Sequence, residues 1–179
     1  MNHHILSSCI EDINLLLLSR GYIIKQYNEE IHKDTVTEFS SIESDCMVSV
    51  FRNPGLLIYQ EESNELAGYL FFSCNTTSLD IKPYIGLDLS CTAVKYRRKG
   101  LSTYLRMVCF IYAIRTKQKY IASDVNKDSL KLLQKFGFNG AVGEFIENFE
   151  WYYTAFVDVK SDFFLEKVRS TLHSLQTKS

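Results

Sequence analysis

Several familiar signals are missing from this chain, and each absence narrows what it can be. Only two prolines, Pro54 and Pro83, occur in 179 residues, and no Gly/Ser-rich or single-charge run marks a linker. Neither sign of charge dominates: 20 basic residues against 21 acidic give a formal net charge of -1, which excludes the basic balance of a typical nucleic-acid binder. No long apolar run exists. The longest, the eight residues from Met107 to Ile114, falls far short of the roughly 18 needed to cross a bilayer, so no membrane partner is expected. The four histidines (3, 4, 32 and 173) show no ligand spacing, and the five cysteines (9, 46, 74, 91 and 109) contain no C-x-x-C, so no metal site is expected. An odd cysteine count, with no basic segment ahead of the first apolar stretch, points to small buried thiols in a reducing, cytoplasmic setting. His3 and His4 are expected in a frayed terminus.

What remains is an ordinary globular composition, 46% hydrophobic and 23% charged, at a length suited to one domain. Helical spacing covers residues 5–18, with Gly21 as a stop, and a strand follows at 22–27. Residues 28–51 read as a weaker helical stretch with Ile31, Thr35, Phe39 and Ile42 on its apolar side. It is loaded with carboxylates: Glu29, Glu30, Asp34, Glu38, Glu43 and Asp45. Asn53-Pro-Gly55 and Glu62-Ser-Asn64 are turn signals, and the strands at 56–59 and 65–74 between and after them should form a hairpin. After Pro83, Ile85, Leu87, Leu89 and Cys91 alternate with Gly86, Asp88, Ser90 and Thr92, so the first set is expected on a core face and the second on a polar one. The strongest helix spans 101–117, with a stripe of Leu101, Tyr104, Leu105, Val108, Ile111 and Tyr112. A strand at 120–125, a short helix opened by Asn126 and closed by Gly137, a strand of aromatics at 151–159 and a helical tail at 162–175 complete the chain. Interleaved strands and helices indicate a single mixed α/β domain.

The junction Tyr96-Arg-Arg-Lys-Gly-Leu-Ser102 matters most. A loop feeding a helix leaves N–H groups pointed at one spot, with the helix dipole behind them. Gly100 permits a tight turn, Ser102 stays small, and Arg97, Arg98 and Lys99 add positive charge, which together suit a phosphate or diphosphate. The bare pattern Arg-x-x-Gly-x-small arises by chance in about one chain of this length in four at average usage. Its placement, after a strand with a polar face and before the best helix, gives it weight. No Walker or dinucleotide glycine pattern is present.

This junction resembles the acyl-CoA loop of the GCN5-related N-acetyltransferases (GNAT), whose pattern is Arg/Gln-x-x-Gly-x-Gly/Ala. A second block, Asn126-Lys-Asp-Ser129-Leu-Lys-Leu132-Leu133-Gln-Lys-Phe-Gly137-Phe138, is similar to that family's Asn-x-x-Ala-x-x-Leu-Tyr-x-x-x-Gly-Phe helix, in the same order and at the same separation. The resemblance spans about residues 22–159. It implies a GNAT fold, a mixed and mostly antiparallel central sheet flanked by helices, with additional helices at 5–18 and 162–175 that cover an edge or build a homodimer. It implies acetyl-CoA as cofactor, with CoA as product, and an amine as acceptor. The backbone of Thr92, Ala93 and Val94 would bond the pantetheine arm. The amides from Arg98 through Lys99, Gly100, Leu101 and Ser102 to Thr103 would hold the pyrophosphate, with Arg97 beside them. Asn126 and Ser129 would meet the pantetheine end. Ser102 replaces the usual Gly or Ala, and Leu133 stands where many members carry the tyrosine that protonates the leaving thiolate.

Acetyl transfer from a thioester to an amine proceeds in one step within a ternary complex, so the lack of a Cys-His or Ser-His constellation is no obstacle. An alkyl ammonium of pKa about 10.4 costs about 4.6 kcal/mol to deprotonate at pH 7, whereas a thiol near 8.5 costs only about 2 kcal/mol to ionise. A base therefore matters more than an acid. Asp88, at the parity of Thr92, is the candidate base, its alternative being a solvated or salt-bridged aspartate. Asp124 is second choice, and otherwise leads into the following helix. Tyr152 or Tyr153 would replace the missing acid, unless both are core aromatics. The carboxylates of residues 28–51 would suit a cationic amine, or simply form a solvated helix face. An acyl-CoA-binding sensor of the same fold, without turnover, is the competing expectation.

Overall fold

The computed structural model describes residues 1–43, 54–76, 83–125, 127–141, 146–147, 150–151 and 153–177. Asn126, Tyr152, Asp45 and Cys46 lie outside the described residues, as do the side chains of Asp124 and Tyr153. Helix α1 (His3–Leu17) starts earlier than its apolar periodicity suggests, because the Asn2 side chain accepts from the Ile5 amide at 3.2 Å and caps it. His3 and His4 are thus helical rather than frayed. Gly21, at φ 69°, ends a short 3-10 turn after α1, and β1 (Tyr22–Gln26) follows. Asn14 clips α1 to β1, donating to the Ile24 carbonyl at 2.9 Å and accepting from the Ile24 amide at 2.7 Å.

Helix α2 (Glu29–Glu43) buries Val36, Phe39 and Ser40, so of the expected stripe only Phe39 is buried. Ile31 and Ile42 are 71% and 72% exposed, so the helix is rotated by roughly one position relative to that reading. Strands β2 (Gly55–Gln60) and β3 (Glu65–Thr76) form the expected antiparallel hairpin, and β4 (Pro83–Thr92) pairs with β3. Helix α3 (Leu101–Arg115) leads to β5 (Tyr120–Val125), α4 (Lys127–Gln134) and β6 (Asn139–Ala141). The strand expected at 151–159 is divided: β7 (Ile146–Glu147) and β8 (Glu150–Trp151) form a small separate ladder, and β9 (Tyr153–Asp158) joins the main sheet. Helix α5 (Asp162–Gln176), capped by the Ser161 hydroxyl on the Phe164 amide at 3.1 Å, closes the described chain.

The main sheet runs β1-β2-β3-β4-β5-β9-β6, all antiparallel except β4 with β5. Two aromatic layers flank it. Tyr69 and Phe71 of β3 face α2, where Phe39 stacks at 5.7 Å on Tyr69, whereas Phe72 faces α3 and lies 6.0 Å from Tyr112. Helix α3 is not merely striped. Ten of its side chains are buried, among them Arg106, Met107 and Cys109. The reason is its cover: α1 lies against it, joined by Arg115 and Asp12 at 2.6 Å, and Phe164 of α5 stacks at 5.3 Å on Phe110. The two additional helices therefore wrap the helix that starts at the basic loop. Among the described residues the cysteines are free, Cys9 and Cys109 buried, Cys91 half-buried and Cys74 exposed. No helix among them is long and apolar enough to cross a membrane.

Candidate functional site

Strand β4 does not alternate cleanly. Leu89 pairs with Phe71 but Leu87 pairs with Phe72, so one extra residue, Asp88, sits in a bulge. Paired residues share a face, and Phe71 and Phe72 point to opposite layers. Ile85 and Leu87 therefore belong to the α3 layer, while Leu89 and Cys91 belong to the α2 layer. This corrects the single core face read from the sequence. It also removes the shared parity of Asp88 and Thr92: Asp88 is exposed, and its carboxylate accepts from the Ser73 hydroxyl at 3.1 Å, on the α2 side.

The sheet forks beside this bulge. β4 and β5 pair from Tyr84 with Tyr120 to Leu87 with Ser123, and there the ladder stops. Beyond it β5 continues against β9 and β4 against β3, so among the described residues the β4 segment from Asp88 to Thr92 has a strand partner on one side only. Buried Ser123 donates to the Leu87 carbonyl at 2.9 Å and closes the crotch. An open strand edge of this kind bonds an extended ligand through the main chain. The bare stretch lies slightly upstream of the residues named from the sequence. The Ala93 amide already donates to the Ala67 carbonyl at 3.0 Å, and the Val94 amide to the Glu43 carboxylate at 2.8 Å.

After β4 comes a 3-10 turn, Val94–Tyr96, and then the basic loop. Tyr96 anchors it: the ring is buried, packs edge-on to Tyr22 at 6.0 Å, and its hydroxyl donates to Glu65 at 3.0 Å. Lys95 pairs with the same glutamate, which holds the Glu65 carboxyl below its ordinary range. From this anchor the chain turns twice through left-handed conformations, Arg98 at φ 64° and Gly100 at φ 80°. Alternation of this kind makes successive N–H groups converge. Among the described residues the amides of Arg98, Lys99, Gly100, Leu101 and Ser102 have no acceptor. Thr103 is different, since its amide donates to the Gly100 carbonyl at 2.9 Å. Space over the turn is open, with no atom within 4 Å of where a Gly100 Cβ would stand.

The loop's charge is unbalanced. No Asp or Glu occurs between Leu89 and Ser123. Arg97 folds back onto the Thr92 carbonyl at 3.1 Å, and Lys99 sits 5.0 Å over the Tyr96 ring, leaving Arg98 with no partner among the described residues. Arg106, one turn into α3, is buried and donates to the Ser102 hydroxyl. Burial lowers the pKa of this guanidinium. Sequence reasoning missed Arg106, because an arginine inside a helix reads as a solvated face.

The carboxylates of α2 divide. Glu29 is spent on Lys33 at 3.2 Å on the surface. Glu43, at the last turn, instead reaches the end of β4, where its carboxylate takes the Val94 amide and its carbonyl accepts from the Cys91 thiol at 3.5 Å. Asp88 and Glu43 thus flank Leu89 and Cys91 on one side of the forked strand. Only the charge of Glu43 was visible beforehand, not its reach. In α4, Ser129 lies half-buried in the first turn, and Leu133 is fully buried, so it offers no proton donor. Gly137, at φ 82°, ends this helix with the Phe138 amide turned back to the Leu133 carbonyl at 3.4 Å. Among the described residues no group of His, Cys, Asp and Glu could hold a metal ion.

No family model matches the sequence, and no curated protein does. Solved structures match by shape. A chain of the NatC complex, solved with a Gag peptide and CoA, superposes with a TM-score of 0.66 at 13% identity, over 76% of this chain and 98% of that one. A GNAT-family acetyltransferase from Streptococcus pneumoniae gives 0.57 at 14% identity, over 76% and 98%. The spermidine/spermine N-acetyltransferase SpeG of Vibrio cholerae, solved in mutant forms, gives 0.59 at 12% identity, over 84% and 99%. The chain has the GNAT fold.

Proposed function

We propose that this chain is an acetyl-CoA-dependent N-acyltransferase of the GNAT family, moving the acetyl group to a primary amine by direct attack in a ternary complex. One observation carries the reading: five successive amides, Arg98 to Ser102, lead into α3 with no acceptor among the described residues, continuous with the strand edge left where β4 parts from β5. A diphosphate on the amides and a pantetheine amide chain along the bared edge would bring the thioester to the fork. The amides supply hydrogen bonds already aimed at one place, and Arg98, Arg106 and the helix dipole supply the countercharge.

The reacting carbonyl would then lie beside the bulge. The acceptor approaches as an ammonium and must lose a proton before its lone pair can form the new C–N bond. Asp88, exposed and bonded to Ser73, would take that proton, directly or through water. Collapse of the tetrahedral adduct breaks the C–S bond, and the products are the amide, the CoA thiol and one proton. Leu133 supplies none to the thiolate, which leaves largely on its own low basicity. Glu43 faces the same side of the strand and favours a cationic amine.

The burial of Leu133 also supports a second reading, an acyl-CoA-binding sensor of the same fold. Thiol release from acetyl-CoA across a panel of polyamines, aminoglycosides and lysine peptides tests both. Amine-dependent release is expected. Thermal stabilisation by acetyl-CoA with no release from any amine would favour the sensor, and no stabilisation at all would end both readings.

A further inference from the structure

We propose that Ser123 is a further catalytic residue, its hydroxyl turning from the Leu87 carbonyl to the thioester sulfur and hydrogen-bonding it as the C–S bond breaks. The inference rests on the acetyl-CoA reading and adds to it a donor that Leu133 cannot supply.

Three polar side chains are buried among the described residues: Ser40, Arg106 and Ser123. Ser40 is bonded to the Tyr69 hydroxyl in the α2 layer, and Arg106 belongs to the start of α3. Ser123 sits where β4 and β5 part, at their last paired position, opposite Leu87 on one side and fully buried Ala155 on the other. Parallel strands buried on both faces favour Val or Ile at such a position, and Ile121 and Val125, at the same parity, are of that kind. Pairing with Leu87 places Ser123 in the α3 layer. The end of α4 lies in that layer too, since Phe110 of α3 stacks at 5.1 Å on Phe136, just beyond α4. Ser123 is thus on the side of α3 and α4, whereas Asp88, bonded to Ser73, is on the side of α2. The amine's proton and the departing sulfur are served from opposite sides of one fork.

A serine hydroxyl carries one proton and rotates to suit its acceptor. Here that proton satisfies the Leu87 carbonyl at 2.9 Å, where the β4–β5 ladder has ended. A pantetheine arm carries an amide N–H two carbons from its sulfur. The Leu87 carbonyl can accept from that N–H instead, which frees the Ser123 hydroxyl for the sulfur beside it. As the C–S bond breaks, its electron pair stays on sulfur and the amine's proton goes to Asp88. Ser123 keeps its own proton, because an alcohol holds it more tightly than a thiol does, and the thiolate takes one from water. A buried donor aimed at the atom where charge develops stabilises the transition state more than the ground state.

The ionisation of bound CoA tests the assignment, read as thiolate absorbance in the ultraviolet against the desulfo-CoA complex, in wild type, S123A and S123T. The bound thiol should ionise about one pH unit lower in wild type than in S123A, with S123T close to wild type. In S123A kcat should also fall about tenfold at an unchanged KM for acetyl-CoA. Equal thiol ionisation in wild type and S123A, or an unchanged kcat in S123A, would reduce Ser123 to a closure of the fork and leave the acyltransferase reading standing. Failure of wild type to bind CoA would remove that reading and this one together.

Discussion

The two ends of the open stretch of β4 are built by opposite means. At its C-terminal end the loop from Tyr96 to Gly100 works through main-chain geometry: two left-handed residues, five unbonded amides and almost no side-chain machinery beyond an anchoring tyrosine. At the bulge end, side chains do everything. Asp88 and Ser73 come from two strands and meet only because one extra residue turns the strand over, and Glu43 of α2 lies on the same side further along, at Val94. The first arrangement tolerates changes of side chain and fails when the backbone fails. The second keeps its backbone under substitution and fails when a single carboxylate is lost.

That contrast sets the order of effects. Gly100→Val, at φ 80°, forces a β-branched residue into a conformation costing roughly 1–2 kcal/mol or more and puts side-chain atoms over the amides, so acetyl-CoA affinity should fall about a hundredfold by calorimetry. The open space above Gly100 should let the fold persist, visible as an unchanged far-UV spectrum. Asp88→Asn should leave cofactor affinity intact and lower kcat/KM about a hundredfold, with activity that recovers at high pH where the amine deprotonates unaided. A loss smaller than threefold would take Asp88 out of the mechanism.

Glu43→Gln should act more gently, raising KM for dicationic amines about fivefold with kcat little changed. An equal effect on a neutral hydroxylamine acceptor would argue that Glu43 only braces β4. The smallest effect belongs to a position outside both ends. Lys119 and its hydrogen bond hold the Asp158 carboxyl below its ordinary range, so the pair stabilises the fold above the unfolded carboxylate pKa and the contribution disappears as pH falls through the folded value. Both groups are about a third exposed, so Asp158→Asn should cost under about 1 kcal/mol at pH 7 and nothing in strong acid, measured as the difference in Tm.

The phosphate end was legible in the sequence because its determinants are contiguous. Arg97 to Ser102 follow one another, and a glycine ahead of a strong helix carries its own geometric meaning. The helix caps at Gly21 and Gly137 were legible for the same reason. The bulge was not. Strict alternation from Ile85 to Cys91 looks identical whether or not a residue is spare, and only pairing with Phe71 and Phe72 reveals it. Nor could the sequence place α2, whose buried side is Val36, Phe39 and Ser40: a buried serine bonded to Tyr69 at 3.1 Å does not look apolar. The full burial of α3 had a trace in the unbroken apolar run from Met107 to Ile114, which is wider than a single stripe.

The spare residue in β4 has a further effect on how this chain can change over time. Upstream of Asp88 the strand's greasy side chains belong to the layer of α3, and downstream to the layer of α2, so one continuous segment stitches together two oily compartments. Exchanging residues there alters one compartment at a time. Removing the single codon at position 88 would straighten the ladder, with Leu87 and Leu89 still opposite Phe72 and Phe71 in their own compartments, and would take away only the carboxylate. The spare position is therefore held by its own side chain rather than by the packing on either side of it.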